Sequence, residues 1–351
     1  MGKRLIHLKH HVDDYECMWN GIENLYIQDT GEKLPPSFFF TLSSFGSFCY
    51  MKTPKSDRKR MVALGDGRTK QMYEFLAPIV GFVYKHYEYK TFEQAIKKAK
   101  SEIDAGYPPV LGALDMYYLP YFSKLYHIEH IPFHYVLMVG YDDDAQCIYM
   151  LDCGREEVLT LSYDELRCAW DCSYPGLSKP NTVCSVRMNA TKDKYQIAKE
   201  ALERKSEIFL YPPVSFIGRT GFQKFINELP KLKNELAKED YDKILTNMVT
   251  FFGTVPTIPN ALKGIKEPDE VKFDGGFDKM SRVLIDMGRE YGNEVWLEAA
   301  GRFEAGAVII FEITNVIVDY LTGGNDKTDE LSGLFTKVMD IITDGFVLLK
   351  S

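Results

Sequence analysis

HYVLMVGYDDDAQCIYMLDCGREEVLTLSYDELRCAW, residues 134–170, is the stretch whose reading decides the fold. His134 opens an apolar, β-branched run that ends at Gly140-Tyr141, and Asp142, Asp143 and Asp144 supply a turn. Cys147 to Leu151 is a second strand, so the two form a hairpin. Asp152 ends that strand before the turn residues Cys153-Gly154-Arg155, and Glu157 to Leu161 is a third short strand. Ser162 and Glu165 have the spacing of a capping box for the next helix, which carries Leu166 and Trp170. A histidine at the start of one hairpin strand and a carboxylate at the end of its partner become neighbours across the ladder. Asp152 can then hold one ring nitrogen of His134 and leave the other for a third group.

Upstream, HHVDDYECMWNGIENLYIQ, residues 10–28, offers that third group. Asp13 or Asp14 can cap a helix running from about Tyr15 to about Gln28. Met18, Ile22, Leu25 and Tyr26 share one face of it. Cys17 falls in the first turn, where unpaired backbone N–H groups and the positive end of the helix dipole favour a thiolate. Gly21 costs helix propensity but lets another segment approach closely. The order Cys17, His134, Asp152 is that of a nucleophile, its base and the group that orients the base.

These segments resemble the papain-like transglutaminase and cysteine-peptidase superfamily, above all the peptidase domains that trim double-glycine leaders. A closer resemblance is to the butirosin biosynthesis protein H family, which adds the pattern DMYYLPY, Asp115 to Tyr121, ahead of the histidine strand. That family also carries a helical C-terminal region. The resemblance implies an α+β papain-like domain with an antiparallel sheet, followed by an all-helical domain. It implies an acyltransferase that takes an acyl group from a carrier-protein or similar thioester through an acyl-cysteine to an amine. Three positions depart from the relatives. Glu16 stands where they place His, Met18 follows the nucleophile, and His11 occupies the position of an oxyanion-hole Gln. His11 can itself donate a hydrogen bond in the right tautomer, which makes it the oxyanion-hole candidate.

The chain has 351 residues, 45% hydrophobic and 26% charged, enough for a large core and two domains. Its net charge of −8 argues against a nucleic-acid partner held by phosphate contacts and suits a cationic acceptor. Seven unclustered cysteines fit a reducing cytoplasm. The start MGKRLIHLKHH has no apolar h-region, and Ile6 breaks the myristoylation pattern. The apolar stretch at 305–321 is interrupted by Glu312 and Asn315 and reads as a buried helix, not a membrane span.

The division expected is a papain-like domain over 1–188 and a helical domain over 189–351. A strand from Val110 to Asp115 follows Pro108-Pro109, and Pro230 is expected to break a helix. Residues 256–276 read as a loop-rich connection, Gly323-Gly324-Asn325-Asp326 as a turn between the last two helices, and Gly65-Asp66-Gly67 as a surface turn. The helical part is suited to cover the active site, to form a homodimer, or to dock a carrier protein. His7, His10, His11, His127, His130 and His134 lack the spacing of a zinc site, so no metal or other cofactor is expected. Cys153 is a rival nucleophile without a helix dipole. Two alternatives to acyl transfer remain: a cysteine peptidase or amidase, in which water replaces the amine, and an inactive protein that binds a carrier or a peptide in the same groove.

Overall fold

The computed structural model describes residues 2–13, 16–43, 47–55, 59–65, 73–173, 179–252 and 275–350. Asp14, Tyr15, Asp66, Gly67 and nearly all of the 256–276 connection lie outside these residues. The protein is mixed α/β, with an antiparallel sheet and a run of helices towards the C-terminus. Two compact units are present. One comprises Met1–Phe39 and Thr69–Ile197, the other Phe40–Arg68 and Ala198–Ser351. The second unit thus takes in a segment that lies early in the sequence.

The first unit is built on a seven-stranded sheet. Its strands are β1 (Lys3–Leu5), β4 (Phe82–Glu88), β5 (Val110–Leu114), β6 (His134–Asp142), β7 (Cys147–Leu151), β8 (Leu159–Ser162) and β9 (Thr182–Met188). The order is β4-β9-β5-β6-β7-β8, all antiparallel, with β1 added to β6. Strand β6 is buried along its whole length and pairs with three neighbours. It reads as a continuous apolar run because both its faces are covered. Val136 and Met138, with Leu111 of β5, join a core made with helices α4 (Phe92–Asp104) and α5 (Tyr163–Trp170), where Phe92, Ile96, Leu166 and Trp170 are buried. Each of these side chains contributes on the order of 1.5–3 kcal/mol by leaving water. The alternate residues, Val110 and Leu137, meet helix α1 (Cys17–Thr30).

Gly21 makes the meeting of α1 with the sheet close. A Cβ there would lie 3.2 Å from Val110 Cγ2 and 3.4 Å from Leu137 Cβ. On β6, a Cβ at Gly140 would lie 2.3 Å from the carbonyl oxygen of Arg4, so this glycine is what admits β1.

Local sequence signals appear where expected. The β6–β7 hairpin pairs Leu137 with Leu151 and Asp142 with Cys147. Asp142 Oδ1 accepts from the N–H groups of Asp144 and Ala145 at 3.0 Å, which closes the turn. The Ser162–Glu165 capping box is formed at the start of α5. The third strand begins at Leu159, two residues later than read, and α1 begins at Cys17 with Glu16 as a cap that makes no side-chain bond.

In the second unit, β2 (Cys49–Lys52) and β3 (Arg60–Ala63) form a hairpin that packs on α7 (Gly218–Glu235) and α8 (Lys238–Phe252). Phe48 stacks on Phe222 at 3.9 Å, and Tyr50 donates to Glu228 at 2.7 Å. Helices α9 (Gly276–Tyr291), α10 (Glu294–Leu321) and α11 (Leu331–Lys350) complete it, with Phe303 edge-on to Phe346 at 5.1 Å. The short α2 (Phe38–Leu42) and α3 (Ala77–Val80), and α6 (Lys194–Leu210), complete the set of α-helices among the described residues. Pro230 does not break its helix, contrary to the sequence reading, because α7 runs through it. The lost N–H and the steric cost of proline are outweighed by packing on both sides of it, where Phe222, Phe225, Ile226, Leu229 and Leu232 are buried. Among the described residues no helix is long and apolar enough to cross a membrane.

The close approach at Gly140 sets an expected outcome. Gly140→Ala should lose about 1–3 kcal/mol of stability, as overpacked sites do, because the atom it meets is backbone and cannot rotate away. Urea unfolding read by circular dichroism checks this. A loss below about 0.5 kcal/mol would mean that β1 is not held against β6 in solution.

Candidate active site

Three elements of the first unit converge on one point. Helix α1 places Cys17 at its first residue, β6 begins at His134, and Asp152 follows β7 directly. Continuing the β6–β7 register past Leu137 and Leu151 sets Asp152 opposite Val136, two residues from His134. Residues two apart on a strand project to the same face, so the imidazole and the carboxylate meet diagonally. Asp152 Oδ2 lies 2.8 Å from His134 Nε2, and both groups are buried. With Nε2 committed to Asp152, Nδ1 is the nitrogen left for Cys17. Cys17 is half-buried, and its sulfur lies 4.0 Å from the carbonyl oxygen of Phe133, the residue before His134.

The electrostatics follow from burial against charge. Burial alone would push the His134 imidazole down, but the negative charges of Asp152 and of a Cys17 thiolate outweigh it, and hydrogen bonds to both add to them. The pKa is raised to about 10. Burial would push the Asp152 carboxyl up, yet the charge of His134 and the hydrogen bonds around the carboxylate hold it below the usual range. Oδ1 accepts the backbone N–H of Cys153 at 2.7 Å. The rival nucleophile Cys153 is buried, and burial together with the charges of Asp152 and Cys17 pushes its thiol well above the ordinary range. Burial and the neighbouring negative charges thus disfavour a thiolate at Cys153.

A network that sequence reasoning missed fixes the segment before Cys17. Asn24, about two turns along α1, accepts from the backbone N–H of His11 at 2.6 Å and lies 3.3 Å from His10 Nδ1. Asn20 donates to the carbonyl of His11 at 2.6 Å. The other ring nitrogen of His10 reaches the carbonyl oxygen of Asp152 at 3.0 Å. Residues 10 and 11 are therefore pinned between α1 and the loop that carries the carboxylate. The pairing of Asn20 and Asn24 at helical spacing was the available signal, since amides on a helix face that also carries apolar residues need partners.

His11, the oxyanion-hole candidate, turns its ring towards carboxylates. Nε2 lies 3.5 Å from Glu23 and 3.9 Å from Asp13. Burial lowers its pKa, against the pull of Asp13. These three residues are the group, among those described, whose metal-capable atoms all lie within 4.8 Å of one another. Asp13 also accepts from the backbone N–H of Ser37, and Glu23 from that of Phe39 at 2.8 Å. The visible work of this cluster is to hold the chain where α2 begins.

The DMYYLPY pattern builds a wall beside the dyad. Asp115 Oδ1 accepts from the N–H groups of Tyr117 at 3.1 Å and Ile131 at 3.0 Å, while Oδ2 meets His130 Nδ1 at 2.6 Å. One carboxylate thereby joins both ends of the loop that leads into β6. Within that loop Phe122 packs edge-on to His134, with ring centroids 5.0 Å apart. His127 and His130 stack on Tyr126 and Tyr117, so they are tied into this loop and not gathered with His7, His10 and His11.

Residues 16–153 match the family described as Butirosin biosynthesis protein H, N-terminal, and the likeness read from the sequence is shown over that span. The match begins one residue before Cys17 and ends one residue after Asp152, so it encloses the whole convergent site. No curated protein matches the chain.

The His134–Asp152 pair makes stability depend on pH in a defined sense. The raised pKa of His134 contributes stability that is complete below the free-imidazole value of about 6.5 and is lost as pH rises through about 10. The lowered pKa of Asp152 contributes stability that is present above its free value of about 3.8 and is lost as pH falls through the depressed folded value. Urea midpoints taken from about pH 6 to pH 10 should therefore fall more steeply in the wild type than in His134→Gln. Equal slopes would show that His134 is neutral throughout that range.

Proposed function

We propose that the match of residues 16–153 to the butirosin biosynthesis protein H N-terminal family reflects a shared reaction class, and that this chain is a biosynthetic acyltransferase with a papain-like catalytic domain. The observation that carries the reading is the placement of Cys17 at the first residue of a helix beside a buried imidazole that is held by a carboxylate at 2.8 Å. In this reading Cys17 is the nucleophile, His134 the acid and base, and Asp152 the residue that orients the base.

The chemistry proceeds in two halves. The thiolate of Cys17 attacks the carbonyl carbon of a thioester, such as that of an acyl carrier protein, and its electron pair forms the new C–S bond. The tetrahedral oxyanion collapses, the carrier sulfur leaves, and the His134 imidazolium supplies its proton. An amine then attacks the acyl-Cys17 carbonyl while neutral His134 takes the amine proton. Collapse of the second intermediate releases the amide and returns the thiolate–imidazolium pair. The raised pKa of His134 suits a group that begins the cycle protonated.

The oxyanion is assigned to the backbone N–H of Cys17 at the start of α1, since the N–H groups of Trp19 and Asn20 already donate to the carbonyl of Glu16 at 2.9 and 3.0 Å. The His11 ring, with Glu23 and Asp13 beside it, would have to donate to the oxyanion in competition with two carboxylates. Its contribution is therefore taken to be the support of residues 10–13.

Intact-mass measurement after incubation with acyl thioesters tests the reading. Acyl-enzyme should appear with the wild type, be absent in Cys17→Ala, and fall by at least roughly 100-fold in formation rate in His134→Ala, the usual worth of a positioned base. An amine should discharge it faster than water does. Discharge at one rate with and without amine would favour the hydrolase, and a Cys17→Ala protein that still acylates would place the nucleophile elsewhere.

A further inference from the structure

The hydroxyl of Tyr121, the last residue of the DMYYLPY pattern, has a role that neither the triad nor the family pattern assigns. Its oxygen is buried and closes no hydrogen bond of ordinary geometry. A buried hydroxyl left without a partner costs on the order of 1–3 kcal/mol, so such a group calls for an explanation. Tyr121 is held from behind, because Arg155 donates to its carbonyl oxygen at 2.9 Å. Its neighbour Phe122 packs edge-on to the ring of His134. Arg155 also sits over the Phe122 ring at 5.8 Å. Phe122 thus faces the imidazole, and Arg155, whose own backbone N–H donates to the carbonyl of Asp152 at 3.2 Å, ties Tyr121 to the turn that carries the carboxylate. The charges of Asp152, Cys153 and Cys17 all act on the phenol, after burial, to push its pKa well above the ordinary range. The phenol consequently remains protonated, and so a donor, whenever the site is at work. Asp152 Oδ1 already takes the Cys153 N–H and Oδ2 takes His134. A carboxylate has room for further donors on each oxygen.

We propose that Tyr121 is a positioning residue for Asp152: its hydroxyl is the third donor to the carboxylate, held beside it by Arg155, and it keeps Asp152 ionised and aimed at His134. The assignment rests on the reading of His134–Asp152 as the base that serves Cys17. It acts through Asp152 and touches no substrate. Removing the donor should make the carboxylate easier to protonate. Strengthening the donor should make it harder.

Carbon-13 NMR of the Asp152 side-chain carboxyl in the full-length protein reads this directly. In Tyr121→Phe, which keeps the ring and its packing, the Asp152 titration midpoint should move up by about one pH unit, the scale of one hydrogen bond to a charged group. Iodoacetamide alkylation of Cys17 near neutral pH should slow several-fold in the same variant. 3-Fluorotyrosine placed at position 121 is a more acidic phenol of nearly the same shape, and it should move the midpoint down. This second variant keeps the test open if Tyr121→Phe folds poorly. A midpoint common to all three proteins overturns the proposal, as does a shifted midpoint with unchanged alkylation. The readouts need no acyl transfer, so the two readings fail separately. An acyl-enzyme that forms while the Asp152 midpoint stays fixed overturns the Tyr121 assignment alone. Shifts of opposite sign in the two variants support Tyr121 even where no thioester acylates Cys17.

Discussion

The bond between His134 and Asp152 is the constraint around which the first unit is arranged. Both groups are almost completely withdrawn from water, and an isolated charge in such a place is costly. The pair is tolerable only because each supplies the counter-charge of the other and the remaining lone pairs are met. That requirement dictates much of the surrounding structure. The Cys153 N–H must point at Oδ1, the loop from Asp115 to Ile131 must be closed beside the imidazole, and residues 10 and 11 must be tied down against the carbonyl of Asp152. The same economy explains why one strand is buried on both faces. A dyad at the rim of a half-solvated sheet would be shared with water and would lose its hold on the proton.

What could be read in the sequence was what adjacent residues decide among themselves. The β6–β7 hairpin, its aspartate turn and the Ser162–Glu165 cap each depend on a few neighbouring side chains. The residues His134 and Asp152 were found because they terminate such elements. Cys17 was singled out because helix starts have a chemical character of their own.

What could not be read depends on partners far away along the chain. Strand β9 lies between β4 and β5, and nothing in Thr182–Met188 names those neighbours. The amides of Asn20 and Asn24 are plain polar residues until His10 and His11 are seen lying across them. Pro230 looked like a stop because the local rule is strong, and the rule yielded to apolar packing on either side. The early segment Phe40–Arg68 gives no local sign that it belongs with helices more than a hundred residues later. The ring of His11 was expected to serve chemistry, and its surroundings give it a structural task as well.

The antiparallel pairing of β6 with β7, and the seating of α1 against β6, carry a consequence for the birth of the protein. Cys17 leaves the ribosome early, while the strand that bears its base is made more than a hundred residues afterwards and the orienting carboxylate later still. Domains are commonly completed as the chain emerges, but this site has no partial form. Until Asp152 has cleared the exit tunnel, the nascent chain holds a cysteine with neither base nor counter-charge. Strand β1 likewise waits for Gly140. Long-range closure of this kind slows folding. It also means that a product truncated before the hairpin carries Cys17 without the His134–Asp152 pair beside it.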